Sequence, residues 1–297
     1  MRAMLTLAAS FSALTFLAGC AGAPSVPVGD RSYSESNSRA YNLAMAGGLR
    51  EARDTKLGED DYSSMMSDLS SGAGTALSLS SSAGIGLSGG ASLGLGLASA
   101  LFSGPGMMQR DSAFAFVPSS EATSPENATE VIRGYFYDAV QNVADNSEFS
   151  MHYNEGEKNV RFSRQRNISA IYLVNEELGC PMPTEQHRGK DVCVFGLLTP
   201  HKARSLRATP LAANATSQYS YPYLAGNHIE SLLVTVGLSD NAKEMLGSEQ
   251  AEAKRLALLA LFSSNMPSWF YIYMKGGEAN PPLILERGTA ELFVTRK

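Results

Sequence analysis

Between Leu69 and Gln109 the chain carries no ionisable side chain, and most residues there are Gly, Ala, Ser or Leu. From 77 to 101 the large apolar side chains, Leu77, Leu79, Ile85, Leu87, Leu93, Leu95, Leu97 and Leu101, all fall on odd positions. The even positions from 78 to 100 hold only Ser, Gly and Ala. Strict alternation is the signature of a strand, because successive side chains point to opposite faces; a helix would scatter these leucines around its circumference. Ser88-Gly89-Gly90 supplies a turn, since glycine reaches positive φ without a Cβ clash. It divides the stretch into arms of about a dozen residues, close to the roughly 9 to 11 that a tilted strand needs to cross a bilayer. A single hairpin leaves unpaired backbone groups at its edges, so in lipid it needs copies from neighbouring chains. Three other readings stay open. Gly86, Gly90 and Gly94 would line a close-packing stripe on a helix, the stretch can be a low-complexity spacer, or it can be a hairpin buried inside a soluble domain.

Two motif matches inside the stretch carry little weight. Gly86-Leu87-Ser88-Gly89-Gly90 fits a nucleophile elbow and Gly84 to Gly89 fits a dinucleotide fingerprint. Neither has the strand-turn-helix or βαβ surroundings its chemistry requires.

The N-terminus gives an address. Met1 and Arg2 precede a run from Ala3 to Leu17 made of apolar residues, Ser and Thr, which reads as a secretory signal peptide. It ends in Leu17-Ala18-Gly19-Cys20, which resembles the lipobox of bacterial lipoprotein precursors. The resemblance implies cleavage after Gly19, lipidation of Cys20 and anchoring by several acyl chains, each methylene contributing about 0.8 kcal/mol. It covers only the first residues and implies nothing about the mature fold. Ala21 stands where an Asp would imply retention at the inner membrane in enterobacterial relatives, so the expected location is the outer membrane, with the folded part facing the periplasm.

Cys180 and Cys193 bracket a polar loop between two apolar runs, and an oxidising periplasm makes a disulfide the expected state of the pair. Closing a loop of that size contributes about 3 kcal/mol in the chain-entropy picture. Metal ligation is disfavoured, because the thiols lie far from CxxC spacing and only His187 sits between them. The formal net charge of −5 gives no electrostatic reason to expect nucleic acid as a partner.

The remaining patterning predicts an α+β fold: a mixed or antiparallel sheet with two or three helices. Ser124-Pro125-Glu126 starts a helix whose apolar stripe runs through Val131, Tyr135, Phe136, Ala139, Val140 and Val143 and which ends near Asn146. Strands are expected at 160–162, 168–174, 192–198, 231–238, 269–274, 283–285 and 290–294. Ser239 and Ser248 open two further helices, and Gly47-Gly48 interrupts any helix in the polar segment before the uncharged stretch. The expected division is a signal peptide over 1–19, a lipidated tether over 20–38, a polar, partly helical segment over 39–71, the uncharged element over 72–104, and the α+β domain over 105–297.

No catalytic constellation emerges. His152, His187, His201 and His228 are scattered, and the carboxylates Glu59-Asp60-Asp61 and Glu176-Glu177 sit in polar surroundings. His228-Ile229-Glu230 is the nearest acid-base pair, and Tyr219, Tyr221 and Tyr223 fit either a recognition surface or packing against the sheet. The expectation is therefore a non-catalytic lipoprotein without cofactor, held by membrane lipid through Cys20. It would associate with copies of itself and with other envelope proteins, as part of a secretion, conjugation or pilus channel. The alternatives are a lipid-tethered binding module whose glycine-rich stretch is a spacer, and a lipid-anchored hydrolase using Ser88 or His228.

Overall fold

A computed structural model describes residues 33–63, 110–153, 160–161, 166–214, 216–226, 231–276 and 281–297. Cys20, the uncharged stretch with its leucines and Ser88, and the His228-Ile229-Glu230 triplet lie outside the described residues. The architecture is α+β. In chain order the elements are α1 (Arg39–Ala46), β1 (Thr55–Leu57), β2 (Ser112–Pro118), α2 (Pro125–Asp145), β3 (Ser150–His152), β4 (Val160–Arg161), β5 (Arg166–Val174), β6 (Cys193–Pro200), β7 (Arg207–Ala208) and β8 (Tyr219–Tyr223). They continue as β9 (Leu233–Gly237), α3 (Asp240–Leu246), α4 (Ser248–Ser264), β10 (Phe270–Met274), β11 (Leu283–Glu286), β12 (Thr289–Leu292) and β13 (Val294–Arg296).

One antiparallel sheet has the order β12-β11-β10-β2-β8-β7, and a second runs β3-β5-β6-β9 with β4 also on β5. The two touch where Ala113 on β2 bridges Leu232, the residue before β9. Apart from these, β1 pairs in parallel with the C-terminal β13.

Helix α2 forms where its signals stand: the Ser124 hydroxyl accepts from the Asn127 N–H at 3.0 Å, Pro125 opens the first turn, and Glu126 sits at the positive end of the dipole. Its buried stripe runs through Ala128, Ile132, Phe136, Ala139, Val140 and Val143. Tyr135, expected on that stripe, stays 36% exposed, because Ile132 and Phe136 take the inward positions and leave it at the rim.

The main core lies between the two sheets and is filled by α2 and α4. A chain of rings, Phe136 on α2, Phe195 on β6, Phe262 on α4 and Phe270 on β10, crosses it with centroid spacings of 6.3, 4.8 and 6.2 Å between successive pairs. Each such fully buried side chain contributes roughly 1.5 to 3 kcal/mol. The opposite face of the first sheet, carrying Phe114, Phe116, Tyr271 and Tyr273, is covered by Ala40, Leu43 and Ala44 of α1. Helix α1 stops at Gly47, whose place against Phe114 leaves no room for a side chain: a Cβ would come within 2.6 Å of that ring.

Candidate interaction surfaces

Cys180 and Cys193 form the expected disulfide, with an S–S distance of 2.03 Å and both residues fully buried. The bond closes the connection between β5 and β6 and also seats α3. The Ser239 N–H donates to Cys193 Sγ at 3.1 Å, and the Ser239 hydroxyl donates to the Gly179 carbonyl while accepting from Ala242 N–H at 2.9 Å. Gly179 has φ +72°, and a Cβ there would lie 2.8 Å from the Ala242 nitrogen, so the close approach of loop and helix demands glycine.

The histidines sit on separate elements: His152 on β3 opposite Tyr172, His187 on the exposed disulfide loop, and His201 just after β6. Glu59, Asp60 and Asp61 are exposed, as are Glu176 and Glu177. Among the described residues no group of three or more His, Cys, Asp or Glu is placed to hold a metal ion. Tyr219, Tyr221 and Tyr223 belong to β8; Tyr221 and Tyr223 are buried, and the Tyr223 hydroxyl lies 2.6 Å from that of Thr129 on α2. These rings pack; they do not form an exposed recognition loop.

Buried charge is used to fasten elements together. Arg39, the first residue of α1, donates through Nε and Nη2 to the two oxygens of Glu286 on β11 at 2.6 and 2.7 Å. Asn214 donates to the same Glu286 Oε1 at 2.7 Å, and its own N–H donates to the Tyr271 hydroxyl at 2.9 Å. Glu291, half-buried beside this cluster, has its carboxyl pushed above the ordinary range by burial; Arg39 opposes the rise and Glu286 adds to it. Asp111 similarly binds Arg255 of α4 at 2.6 Å and the Lys275 N–H at 2.9 Å, fixing the start of β2. Lys254 of α4 contacts the Glu148 carboxylate and lies 5.7 Å from the centre of the Phe149 ring; burial pulls its ammonium down to about 8. At the rim, Glu121 accepts from the Trp269 indole at 3.0 Å and from the Tyr135 hydroxyl at 3.1 Å. Apart from Glu291, these groups are paired across elements and tie those elements together.

The second sheet has a different character on its outer side. Ser169, Ile171, Leu173, Phe195, Leu197, Val234 and Val236 point inward and are buried. The alternate positions Ile168, Ala170, Tyr172, Val194, Leu198 and Leu233 point outward and are half-buried. An antiparallel sheet facing water ordinarily carries polar residues there. Here the register aligns Ala170, Gly196 and Thr235 in a row of small side chains, flanked by Ile168, Leu198 and Leu233 on one side and by Tyr172 and Val194 on the other. None of these residues is charged. Contiguous apolar surface of this kind makes this side a candidate contact face.

The described residues on either side of the uncharged stretch belong to the same folded body. On the leaving side, Tyr62 packs against the main core and Arg296 of β13 lies 4.8 Å from its ring centre. On the returning side, Arg110 donates to the Gly226 carbonyl at 3.3 Å and β2 becomes the centre of the first sheet. No family model, no curated protein and no solved structure matches this chain.

Proposed function

We propose that this chain is a lipid-anchored, non-catalytic structural subunit of a bacterial envelope assembly, such as a secretion, conjugation or pilus channel. In this reading Cys20 carries the lipid at the outer membrane, the α+β body faces the periplasm, and the 72–104 element inserts into the bilayer or associates with its copies. The observation that carries it is that the described residues flanking the stretch, Tyr62 before it and Arg110 after it, are both fastened to one body. A spacer joins two separate bodies, whereas a segment whose two flanks belong to one body is connected as a hairpin would be. That favours the inserted or self-associating form over a tethered binding module with a passive spacer. The apolar residues around Ala170, Gly196 and Thr235 on the outer side of the second sheet supply a surface for neighbouring envelope proteins.

Size-exclusion chromatography with light scattering on detergent-extracted, lipidated protein tests the reading. The full chain is expected as a multimer and a chain lacking 72–104 as a monomer. A monomer in both cases, or a multimer unaffected by the deletion, overturns it.

A further inference from the structure

We propose that Arg39, Glu286 and Glu291 form a pH-sensitive clasp on helix α1, closed while Glu291 is neutral and loosened when it ionises. The inference goes beyond the reading above and does not depend on a lipid at Cys20: it concerns whether the N-terminal helix lies against the first sheet or stands off it.

Helix α1 cannot hold itself. With eight residues it is too short to persist alone in water, so it forms only where it docks. The apolar groups it sets against Phe114, Phe116, Tyr271 and Tyr273 are few: Ala40, Leu43 and Ala44. Two polar ties, Asn42 with Ser34 and Ser38 with Asp54, stay inside the N-terminal segment and travel with the helix. Its ends are joined to the rest of the body by the fork from Arg39 to Glu286 and by the Gly47 carbonyl, which accepts from the Ala225 N–H at 2.8 Å. Strand β1 is held separately by β13, so α1 can lift while β1 stays.

The fork stands in an unbalanced cluster. Glu291 on β12 pairs across with Ile284 on β11, two residues from Glu286. Ile284 faces α1, so both carboxyl groups point to that side as diagonal neighbours, their strand positions about 7 Å apart. Glu286 takes two donors from Arg39 and the Asn214 amide, at 2.6, 2.7 and 2.7 Å. Half-buried Glu291 gains no hydrogen bond among the described residues. One guanidinium therefore serves two carboxyl groups. Around them, Tyr271 of β10 and Tyr41 of α1 contribute phenols, and Arg287, in the turn between β11 and β12, is exposed. Helix α4 approaches that turn through Ala260, Ser263 and Ser264, which carry no charge.

With Glu291 ionised the cluster holds a surplus negative charge in a partly dry site; with Glu291 protonated its charges balance. Burial pushes the Glu291 carboxyl above the ordinary range, Arg39 opposes the rise and Glu286 adds to it. Lifting α1 admits water and takes Arg39 away. Burial is the larger effect, so the open form gives up the proton more readily. The closed form is then favoured fully below the ordinary carboxylate value and loses that advantage as pH rises through its own, higher value.

Hydrogen exchange on the full chain, read by mass spectrometry, tests the clasp. Wild type and Glu291→Gln are compared at each pH, which cancels the intrinsic pH dependence of exchange. Gln matches the neutral acid in size, so this variant keeps the fold. At about pH 8, residues 39–47 of wild type are expected to exchange at least about threefold faster than in the variant, and the two should converge below the ordinary carboxylate range. Exchange in β5 and β6 should be alike in both chains. Arg39→Met should speed exchange of 39–47 at every pH. A ratio between wild type and Glu291→Gln that does not change with pH overturns the inference. So does a difference spread evenly into β5 and β6, or α1 exchange unchanged in Arg39→Met.

Discussion

Glu286 shows how one side chain can hold a molecule together. It receives Arg39 from the N-terminal helix and Asn214 from the segment before β8, groups far apart in sequence, and it sits nearly out of water. Replacing it with Gln leaves Arg39 without its counter-charge, and a loss of about 3 kcal/mol is expected in urea melts. Glu291 behaves oppositely. Its folded-state pKa is raised, so the unfolded chain ionises first as pH climbs; stability is lost from the ordinary carboxylate range up through the folded value. Glu291→Gln should therefore raise the melting midpoint at neutral pH and leave it unchanged in acid. Lys254 has a lowered folded-state pKa of about 8, so the folded form binds fewer protons between there and the ordinary lysine range, and stability grows as pH rises through that window. In Lys254→Met that alkaline gain should vanish, as read from melts at pH values on either side of it.

At the level of elements, the disulfide hairpin and α3 form a unit. Replacing both Cys180 and Cys193 with Ala should cost about 3 kcal/mol. Hydrogen exchange should quicken first in α3, because Ser239, its cap, is bonded both to Cys193 and to Gly179. These elements were legible in the sequence where a local signal exists. Ser124 and Ser239 announce their helices, and the runs of β5, β6 and β9 read as strands at nearly their true bounds. The central strand β2 was not legible. Its Ser-Ala-Phe-Ala-Phe-Val-Pro run is buried on both faces, so it lacks the polar alternation that marks a half-exposed strand. Strand β8 was obscured by Pro222, which occupies a position opposite Phe116 and gives up one ladder hydrogen bond. The short β1, β3 and β7 exist only through the strands they pair with, β13, β5 and β8.

The whole molecule has two unlike sides. On one lie α1, the arrival of the N-terminal chain at Arg39, the return of the uncharged stretch at Arg110 and the turn carrying Leu211. Beyond the core lies the outer side of the second sheet, where the row of Ala170, Gly196 and Thr235 is flanked by apolar side chains. The outer sheet surface was hidden because both faces of β5 and β6 are largely apolar. The most direct test of the inserted segment is cysteine labelling in native membranes, with single substitutions from Leu77 to Leu101 and a water-soluble maleimide. Cys180 and Cys193 are paired, and in this account Cys20 is acylated, so the background is free of thiols. The account predicts protection at the odd positions and labelling at the even ones. Rapid labelling at every position would contradict it.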